Sequence, residues 1–202
     1  TRYGVEATIR RDASFRFADS NRWGTFYSVS ARWNISNEKF MENATAVTDL
    51  KLRGSYGTAG NQDIMGTGLF GGANLYQTLY GFGRGYNNEP SLMLTQLPNP
   101  DLKWETITQS NIGLDFGLWE NRLRGTIDVY QKKTTDLYQT KPISAINGTT
   151  GLSANIGSLR NRGVELLLAA DVIKNDNLKL TLNVNGSYNK NELLDIPSED
   201  GI

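Results

Sequence analysis

The sequence predicts an all-β fold, an antiparallel transmembrane β-barrel to which this chain contributes about seven strands. The first observation is a strict alternation of apolar and polar residues, clearest over residues 178–189. The apolar positions are Leu178, Leu180, Leu182, Val184, Gly186 and Tyr188. Successive side chains of a strand point to opposite faces, so this stretch has one apolar side and one polar side. The second observation is its length of about eleven residues, which suffices for a tilted strand to cross a bilayer. The third is the Asn, Thr and Lys content of the polar side, which suits a water-filled interior.

The same alternation returns along the chain and predicts the remaining strands. The predicted strands, in order, comprise residues 1–11, 25–35, 50–59, 105–118, 122–136, 161–173 and 178–192. Leu167 and Ala169 blur the pattern in the sixth strand. A soluble β-sandwich also has alternating strands. The length of the strands and the charge on their polar faces favour the barrel.

The connections between these strands are of two kinds. Residues 119–122 and 174–177 are tight turns, and residues 37–49 form a modest connection with a brief helical turn expected at 38–41. Residues 59–103 and 137–161 are long excursions, the first rich in Gly, Asn, Tyr and Pro. An up-and-down order of strands places both long excursions at the same end. Outer-membrane barrels have short periplasmic turns and long extracellular loops in this arrangement.

Composition limits the possible functions. The 202 residues contain 21 Lys and Arg and 21 Asp and Glu, so no basic excess favours nucleic acid as a partner. Hydrophobic residues make up 38% of the chain, and the mean hydropathy is −0.45. No apolar run approaches the length of about 18 residues expected of a transmembrane helix. A barrel remains possible because only the outward half of each strand has to be apolar.

Two absent residue types argue against enzymatic chemistry. The chain contains no Cys and no His, which excludes thiolate nucleophiles, Ser-His-Asp arrangements and the commonest metal ligands. The Asp and Glu residues are scattered singly, and no acidic pair suitable for glycoside hydrolysis stands out. The sequence therefore predicts no catalytic residues, no metal site and no cofactor.

Four stretches carry a resemblance to a known family. They read RRDASFRFADSNRWGTFYSVSARWNISNEKF (10–40), DLKLRGSYGTAGNQDI (49–64), NPDLKWETITQSNIGLDFGLWENRLRGTIDVYQKKTTDLY (99–138) and NRGVELLLAADVI (161–173). In this order they resemble the SusC/RagA family of TonB-linked outer-membrane transporters from Bacteroidetes-type bacteria. The resemblance covers nearly the whole chain, so the chain is expected in the bacterial outer membrane as a multi-pass β-barrel.

The resemblance implies a barrel of about 22 strands closed by an N-terminal plug. It also implies active import of oligosaccharides or peptides, energised by TonB, with a SusD-like surface lipoprotein as a lid. Residues 1–202 contain no recognisable plug, TonB box or N-terminal extension. About seven strands are also fewer than the roughly eight of the smallest barrels. We therefore expect these residues to be part of a single receptor barrel domain, from the C-terminal half of a longer polypeptide.

Two sets of residues are candidates for contacts. Aromatic faces and amide groups suit a neutral glycan or peptide. On the long loops, the candidates for contact with substrate or partner are Tyr76, Tyr80, Phe82, Tyr86, Asn87 and Asn88. Packing within the loop or against the lipoprotein is the alternative for each aromatic ring. The tryptophans near strand ends are expected to anchor the barrel at the membrane interface; they are Trp23, Trp33, Trp104 and Trp119.

Three further points stay open at this level. Arg10, Arg32, Arg53, Arg124 and Asp115 point inward and are expected to pair with a plug or with water in the lumen. A siderophore or cofactor receptor would share the barrel and the energy source. A secreted β-sandwich, an adhesin or a carbohydrate-binding module, is the alternative outside transport. The sequence does not distinguish a glycan from a peptide as substrate.

Overall fold

The computed structural model describes residues 1–63, 75–175 and 177–195. Over these residues the chain forms eleven strands and four single-turn 3₁₀ helices. The strands are β1 (Tyr3–Ala13), β2 (Trp23–Asn34), β3 (Val47–Asn61), β4 (Leu79–Arg84), β5 (Pro90–Gln96), β6 (Glu105–Leu118), β7 (Leu123–Thr135), β8 (Tyr138–Pro142), β9 (Gly151–Asn155), β10 (Ser158–Lys174) and β11 (Lys179–Asp195). The 3₁₀ turns comprise Ile35–Asn37, Lys39–Met41, Tyr86–Asn88 and Ala145–Asn147.

Seven long strands form one antiparallel sheet in the order β1-β2-β3-β6-β7-β10-β11. These are the seven strands that the alternation predicts, so that prediction is confirmed. Each strand pairs with its neighbour among the long strands, as expected of an up-and-down barrel wall. The tight turns and the 35–46 connection lie at one end of the sheet, which we call the short-turn end. The long connections lie at the other, the long-loop end.

The two faces of the sheet differ as the pattern predicts. One face, which we call outward, carries aligned apolar rows; Ile112, Val129 and Val164 are partners in register across three strands, and Tyr188 continues the row. These side chains are exposed. The opposite, inward face carries charged and amide side chains. An exposed apolar sheet face that is continuous over several strands suits contact with lipid. In the part of the chain that is described, no helix is long and apolar enough to span a membrane.

The long excursions contain structure that the alternation did not predict. In the first, β4 pairs with β5 as a hairpin. In the second, β8 pairs with β9 as another. Residues 64–74 of the first excursion, and Asp176 of the 174–177 turn, lie outside the described residues. The two hairpins approach each other, because a Cβ at Gly148 would lie 3.1 Å from a methyl group of Leu94.

A small hydrophobic core lies at the long-loop end. This cluster, which we call the loop core, consists of Phe17, Phe26, Leu75, Leu102 and Trp104, with Tyr138 packed against it. Phe17 and Leu102 are fully buried. These residues come from the β1–β2 connection, from β2, and from the segments on either side of the β4–β5 hairpin. The loop core therefore joins the bases of three loops, those between β1 and β2, between β3 and β6, and between β7 and β10.

Candidate functional site

The β4–β5 hairpin presents an exposed apolar face at the long-loop end. Tyr80 and Phe82 alternate along β4, and their partners in register are Leu94 and Leu92 of β5. Tyr80 is 67% exposed and Phe82 is 89% exposed. Gly81 and Gly83 lie on the other face, where Met93 and Thr95 occupy the space that a Cβ would need. One face of the hairpin is thus free to contact another molecule.

The tip of the hairpin adds an aromatic ring and an amide. Tyr86 is 96% exposed, and Asn87 adopts a left-handed backbone conformation with φ of 55°. Asn tolerates this conformation better than most residues, which explains its place in so tight a turn. The side chain of Asn88 lies outside the described part of the structure. We call the side chains of Tyr80, Phe82, Tyr86 and Leu92 the outer patch.

Tyr76 lies apart from the outer patch. It is half-buried, and it follows Leu75 of the hydrophobic core directly. The amide of Gln96 donates to the backbone carbonyls of Leu75 and Gln77, each at 3.0 Å, and so closes the base of the hairpin. Among the candidates whose side chains are described, Tyr76 therefore lies at the fixed base, whereas Tyr80, Phe82 and Tyr86 are exposed farther along the hairpin.

Side-chain to backbone hydrogen bonds join the loop bases to one another. Asn155 accepts from the backbone N–H of Lys103 at 2.9 Å, and its amide donates to the carbonyls of Lys103 and Asp136, each at 2.8 Å. Glu105 accepts from the backbone N–H of Tyr138 and from the amide of Asn61, each at 2.8 Å. Burial also raises the pKa of the Tyr138 hydroxyl. These contacts orient the hairpins with respect to the barrel wall.

The four tryptophans occupy different environments. Trp23 is exposed at the long-loop end, with the Arg11 guanidinium 4.8 Å from its ring centre. Trp119 is exposed in the β6–β7 turn. Trp33 stacks with Tyr3 at 6.5 Å near the short-turn end. The positions of these three residues are compatible with contact with lipid headgroups, which stays a prediction.

Trp104 is placed differently from the sequence-based expectation. Its side chain is only 9% exposed, with ring centres 5.5 Å from Phe17 and 5.7 Å from Phe26. Its indole N–H donates to the carbonyl of Arg22 at 3.2 Å. A ring enclosed in this way is not presented to lipid headgroups, so Trp104 belongs to the loop core.

Glu38 joins the aromatic pair near the short-turn end. It accepts from the Tyr3 hydroxyl at 2.6 Å and from the Trp33 indole N–H at 3.1 Å. These hydrogen bonds, that from Tyr3 foremost, lower the pKa of Glu38 because they favour its charged form. The carboxylate therefore fixes two aromatic rings at the edge of the apolar face.

The inward face pairs its charges within the wall. Arg53 donates to both carboxylate oxygens of Asp115, each at 2.9 Å, and reaches across β6 to Asp128 at 3.2 Å. Gly113 lies between them in register, and a Cβ there would lie 2.6 Å from Arg53 Nη2 and 2.5 Å from Asp128 Oδ1. The missing side chain at Gly113 therefore lets one guanidinium join three strands.

A second inward cluster centres on Asp171. It is buried, accepts from the Thr181 hydroxyl at 2.8 Å, and pairs with Arg124 and Lys179, each at 3.5 Å. Arg10 pairs with Asp12 at 2.7 Å. Arg53, Arg124 and Asp115 thus have partners in the wall itself, whereas the sequence-based expectation assigned them to a plug or to water. Such cross-strand pairs stabilise the sheet.

The residues that support the candidate site have no clear signature in the sequence. Phe17 and Leu102 lie in segments without alternation, and Phe26 lies on the polar side of a predicted strand. A core formed by several loops has no period to detect. Among the described residues, no group of three or more acidic side chains could hold a metal ion.

Comparison with known proteins identifies relatives along the whole chain. A family model described as TonB dependent receptor-like, beta-barrel, matches residues 1–201. TonB-dependent receptor P39 of Formosa agariphila is 40% identical over 201 residues, which cover 100% of this chain and 19% of that protein. TonB-dependent receptor SusC of Bacteroides thetaiotaomicron is 36% identical over 206 residues, which cover 98% of this chain and 20% of that protein.

Similar solved structures indicate the same family. The RagAB peptide importer in its closed-closed state matches with a TM-score of 0.83 and 32% identity, over 98% of this chain and 21% of that chain. Its open-open state matches with a TM-score of 0.84 and 32% identity, over 99% of this chain and 21% of that chain. This chain thus spans about a fifth of the length of its relatives. The resemblance to SusC and RagA is confirmed, and the β-sandwich alternative is wrong. The chain belongs to the TonB-dependent receptor family and forms part of the wall of an outer-membrane β-barrel.

Proposed function

We propose that the whole protein imports oligosaccharides or peptides across the outer membrane with energy passed from TonB. We further propose that a SusD-like lipoprotein covers the outer opening of its barrel. The relatives are named as TonB-dependent receptors, and the similar solved structures are of a peptide importer. The observation in this chain that carries the proposal is the outer patch, an exposed aromatic surface on a hairpin with a fixed base.

The outer patch suits contact with a lid or a neutral substrate. Exposed Tyr and Phe rings offer large apolar faces, and they lose little conformational entropy when they are ordered. Contiguous apolar side chains on a surface commonly mark an interaction site. The loop core and the hydrogen bonds of Gln96 hold the hairpin base. A fixed base reduces the entropy cost of ordering the loop on binding.

The barrel wall supports transport without chemistry. The inward charges of Arg53, Asp115 and Asp171 are paired with neighbours in the sheet, so they stabilise the wall and are not poised to react. This segment is similar to RagAB in both of its named states, with nearly equal TM-scores. We therefore propose that the segment is a fixed part of the wall, that substrate passes unaltered, and that the moving parts lie elsewhere.

The test uses the full-length receptor in its own host. Phe82→Ser and Tyr86→Ser are combined to remove the two most exposed rings of the outer patch. Phe40→Ser is the matched control, because Phe40 is 67% exposed at the short-turn end. Uptake is measured with a fluorescently labelled peptide digest and, separately, with a labelled oligosaccharide mixture. Each measurement is repeated in a strain that lacks TonB, and co-purification of the lipoprotein is measured in parallel.

We expect F82S/Y86S to assemble normally but to lose lipoprotein capture or uptake by roughly tenfold, as for the removal of interface aromatics. Phe40→Ser should behave like the unaltered receptor. Uptake of either probe should stop without TonB, and the accepted probe then identifies the substrate class. Unchanged capture and uptake in F82S/Y86S would remove the role of the outer patch. Uptake that persists without TonB would indicate a passive pore, and an iron-dependent phenotype would indicate a siderophore receptor.

A further inference from the structure

A cluster of charged side chains lies on the outward face near the long-loop end of β10 and β11. Arg160, Arg162 and Lys190 surround the carboxylate of Glu192. Arg162 Nη2 lies 3.0 Å and Lys190 Nζ lies 2.6 Å from Glu192 Oε1, while Arg160 Nε lies 3.1 Å from Glu192 Oε2. In β10 and β11, even-numbered residues such as Val164 and Tyr188 form the outward face, and these four residues continue it.

The cluster carries an excess of positive charge. Lys133 of β7 is the partner of Arg160 in register and lies on the same face. Four cationic side chains therefore share this part of the face with Glu192, whose single carboxylate contacts three of them and cannot neutralise them all. Arg162 and Lys190 keep about half of their side-chain surface exposed, 49% and 50%. We call Lys133, Arg160, Arg162 and Lys190 the cationic collar.

The cationic collar lies directly above the apolar surface. The next row toward the short-turn end contains Val129, Val164 and Tyr188, and Tyr188 is 69% exposed. These residues and the side chains of Arg162 and Lys190 line one shallow cavity of about 340 Å³. The cavity therefore has an apolar floor and a cationic rim, the division of polarity found in a lipid with an anionic headgroup.

The level of the cationic collar corresponds to the membrane interface. On β6 and β7, the outward residues in register with Arg162 are Ser110 and Gln131, so on these three neighbouring strands the apolar surface ends at the same register row. Charge in the middle of the bilayer is costly, whereas charge at headgroup level is tolerated and attracts anionic lipid. Because long loops leave outer-membrane barrels on the extracellular side, this end of the strands lies in the outer leaflet.

We propose that the cationic collar binds the phosphate of an anionic lipid of the outer leaflet, with an acyl chain lying on Val129, Val164 and Tyr188. Clustered Lys and Arg beside an apolar membrane surface recognise such headgroups through charge, and the two arginines suit phosphate geometry. Glu192 holds the cations side by side and lowers their mutual repulsion. The lipid would thus be a fixed part of the receptor's outer rim.

The experiment measures lipid binding to the full-length receptor in nanodiscs of phosphatidylcholine. The probe is lipid A that carries phosphate, compared with the same lipid after enzymatic removal of phosphate, and native mass spectrometry counts the bound molecules. The test variant is R160Q/R162Q/K190Q. The matched control, K39Q/R122Q/K174Q, removes three exposed cations at the short-turn end. Heat-modifiable migration on gels checks that each variant forms a barrel.

We expect R160Q/R162Q/K190Q to bind phosphorylated lipid A roughly 100-fold more weakly, since each cation near a membrane contributes about fivefold. The control and the dephosphorylated lipid distinguish the site from general attraction. Glu192→Gln removes the carboxylate that Arg160, Arg162 and Lys190 share, and it should strengthen binding by several-fold. Equal binding of both lipids, equal loss in the two triple variants, or weaker binding by Glu192→Gln would overturn the proposal. If R160Q/R162Q/K190Q lost lipoprotein capture but bound lipid as before, the proposal would also be overturned, and the cationic collar would be a site for a protein partner.

Discussion

Replacement of Trp104 by alanine should loosen the loops at the long-loop end while the barrel wall stays folded. A buried aromatic side chain removes about 200 Å² from water, which at about 25 cal/mol per Å² gives an upper value of about 5 kcal/mol. Measured costs of such truncations lie at about 3–5 kcal/mol. Trp104 contacts Phe17 and Phe26 and donates to Arg22, so the loss falls on the β1–β2 connection.

Hydrogen exchange of the full-length receptor, followed by mass spectrometry, is the assay. Backbone amides of residues 14–22 should exchange at least about 100-fold faster in W104A, since about 3 kcal/mol of local stability is lost. Residues 105–118 of β6 should keep their protection. Trp104→Phe keeps a ring and loses one hydrogen bond, worth about 1 kcal/mol, so its exchange should rise only about fivefold.

Trp119→Ala is the matched control, because that tryptophan is exposed at the opposite end. It should change the exchange of residues 14–22 by less than about twofold. The reasoning would be refuted if residues 14–22 exchanged at the same rate in W104A as in the unaltered receptor. It would also be refuted if W119A had the same effect as W104A.

Three further expectations concern the wall. Leu182→Arg on the outward face should cost about 2–4 kcal/mol of stability near the bilayer midplane; a spin label at Leu182 that only aqueous quenchers reach would contradict this lipid contact. Gly113→Ala should displace Arg53 and lower the temperature at which the barrel unfolds in heat-modification gels. Resistance to urea should fall as well. If neither changed, the pairing of Arg53 with Asp128 would contribute nothing to stability. The lowered pKa of Glu38, from its ordinary value of 4.5, implies stability that is present above 4.5 and lost as pH falls through the lowered pKa. Tyr3→Phe should weaken that acid dependence in pH titrations of unfolding, and an unchanged profile would contradict the hydrogen bond.

The proposed function assigns different parts to the wall and to its outer rim. The inward clusters of Asp115 and Asp171 join neighbouring strands, and such pairing favours a rigid sheet. The outer patch projects from a hairpin whose base is fixed by the loop core. Under the proposed function, a rigid wall with an exposed aromatic surface would hold a lid or a substrate at the barrel opening. It is less suited to drive a conformational change itself.

The strand alternation in the sequence was sufficient to predict the seven long strands, their order and their outward faces. Leu180, Leu182 and Val184 could be assigned to the outward face because a period of two leaves one solution for each strand. The residue pattern also predicted which connections are short. The absence of His and Cys limited the chemistry directly, since no fold can supply a side chain that the chain lacks.

Only the tertiary structure decided what the loops and charges do. Trp104 has the same local signature as an interface tryptophan, and its burial depends on Phe17 and Phe26, which are distant in sequence. Arg53 reaches Asp128 only because register places Gly113 between them. The cationic collar likewise arises where the register of three strands places isolated charges side by side. Alternation is a local property of a strand, whereas these contacts depend on how strands far apart in the sequence are aligned.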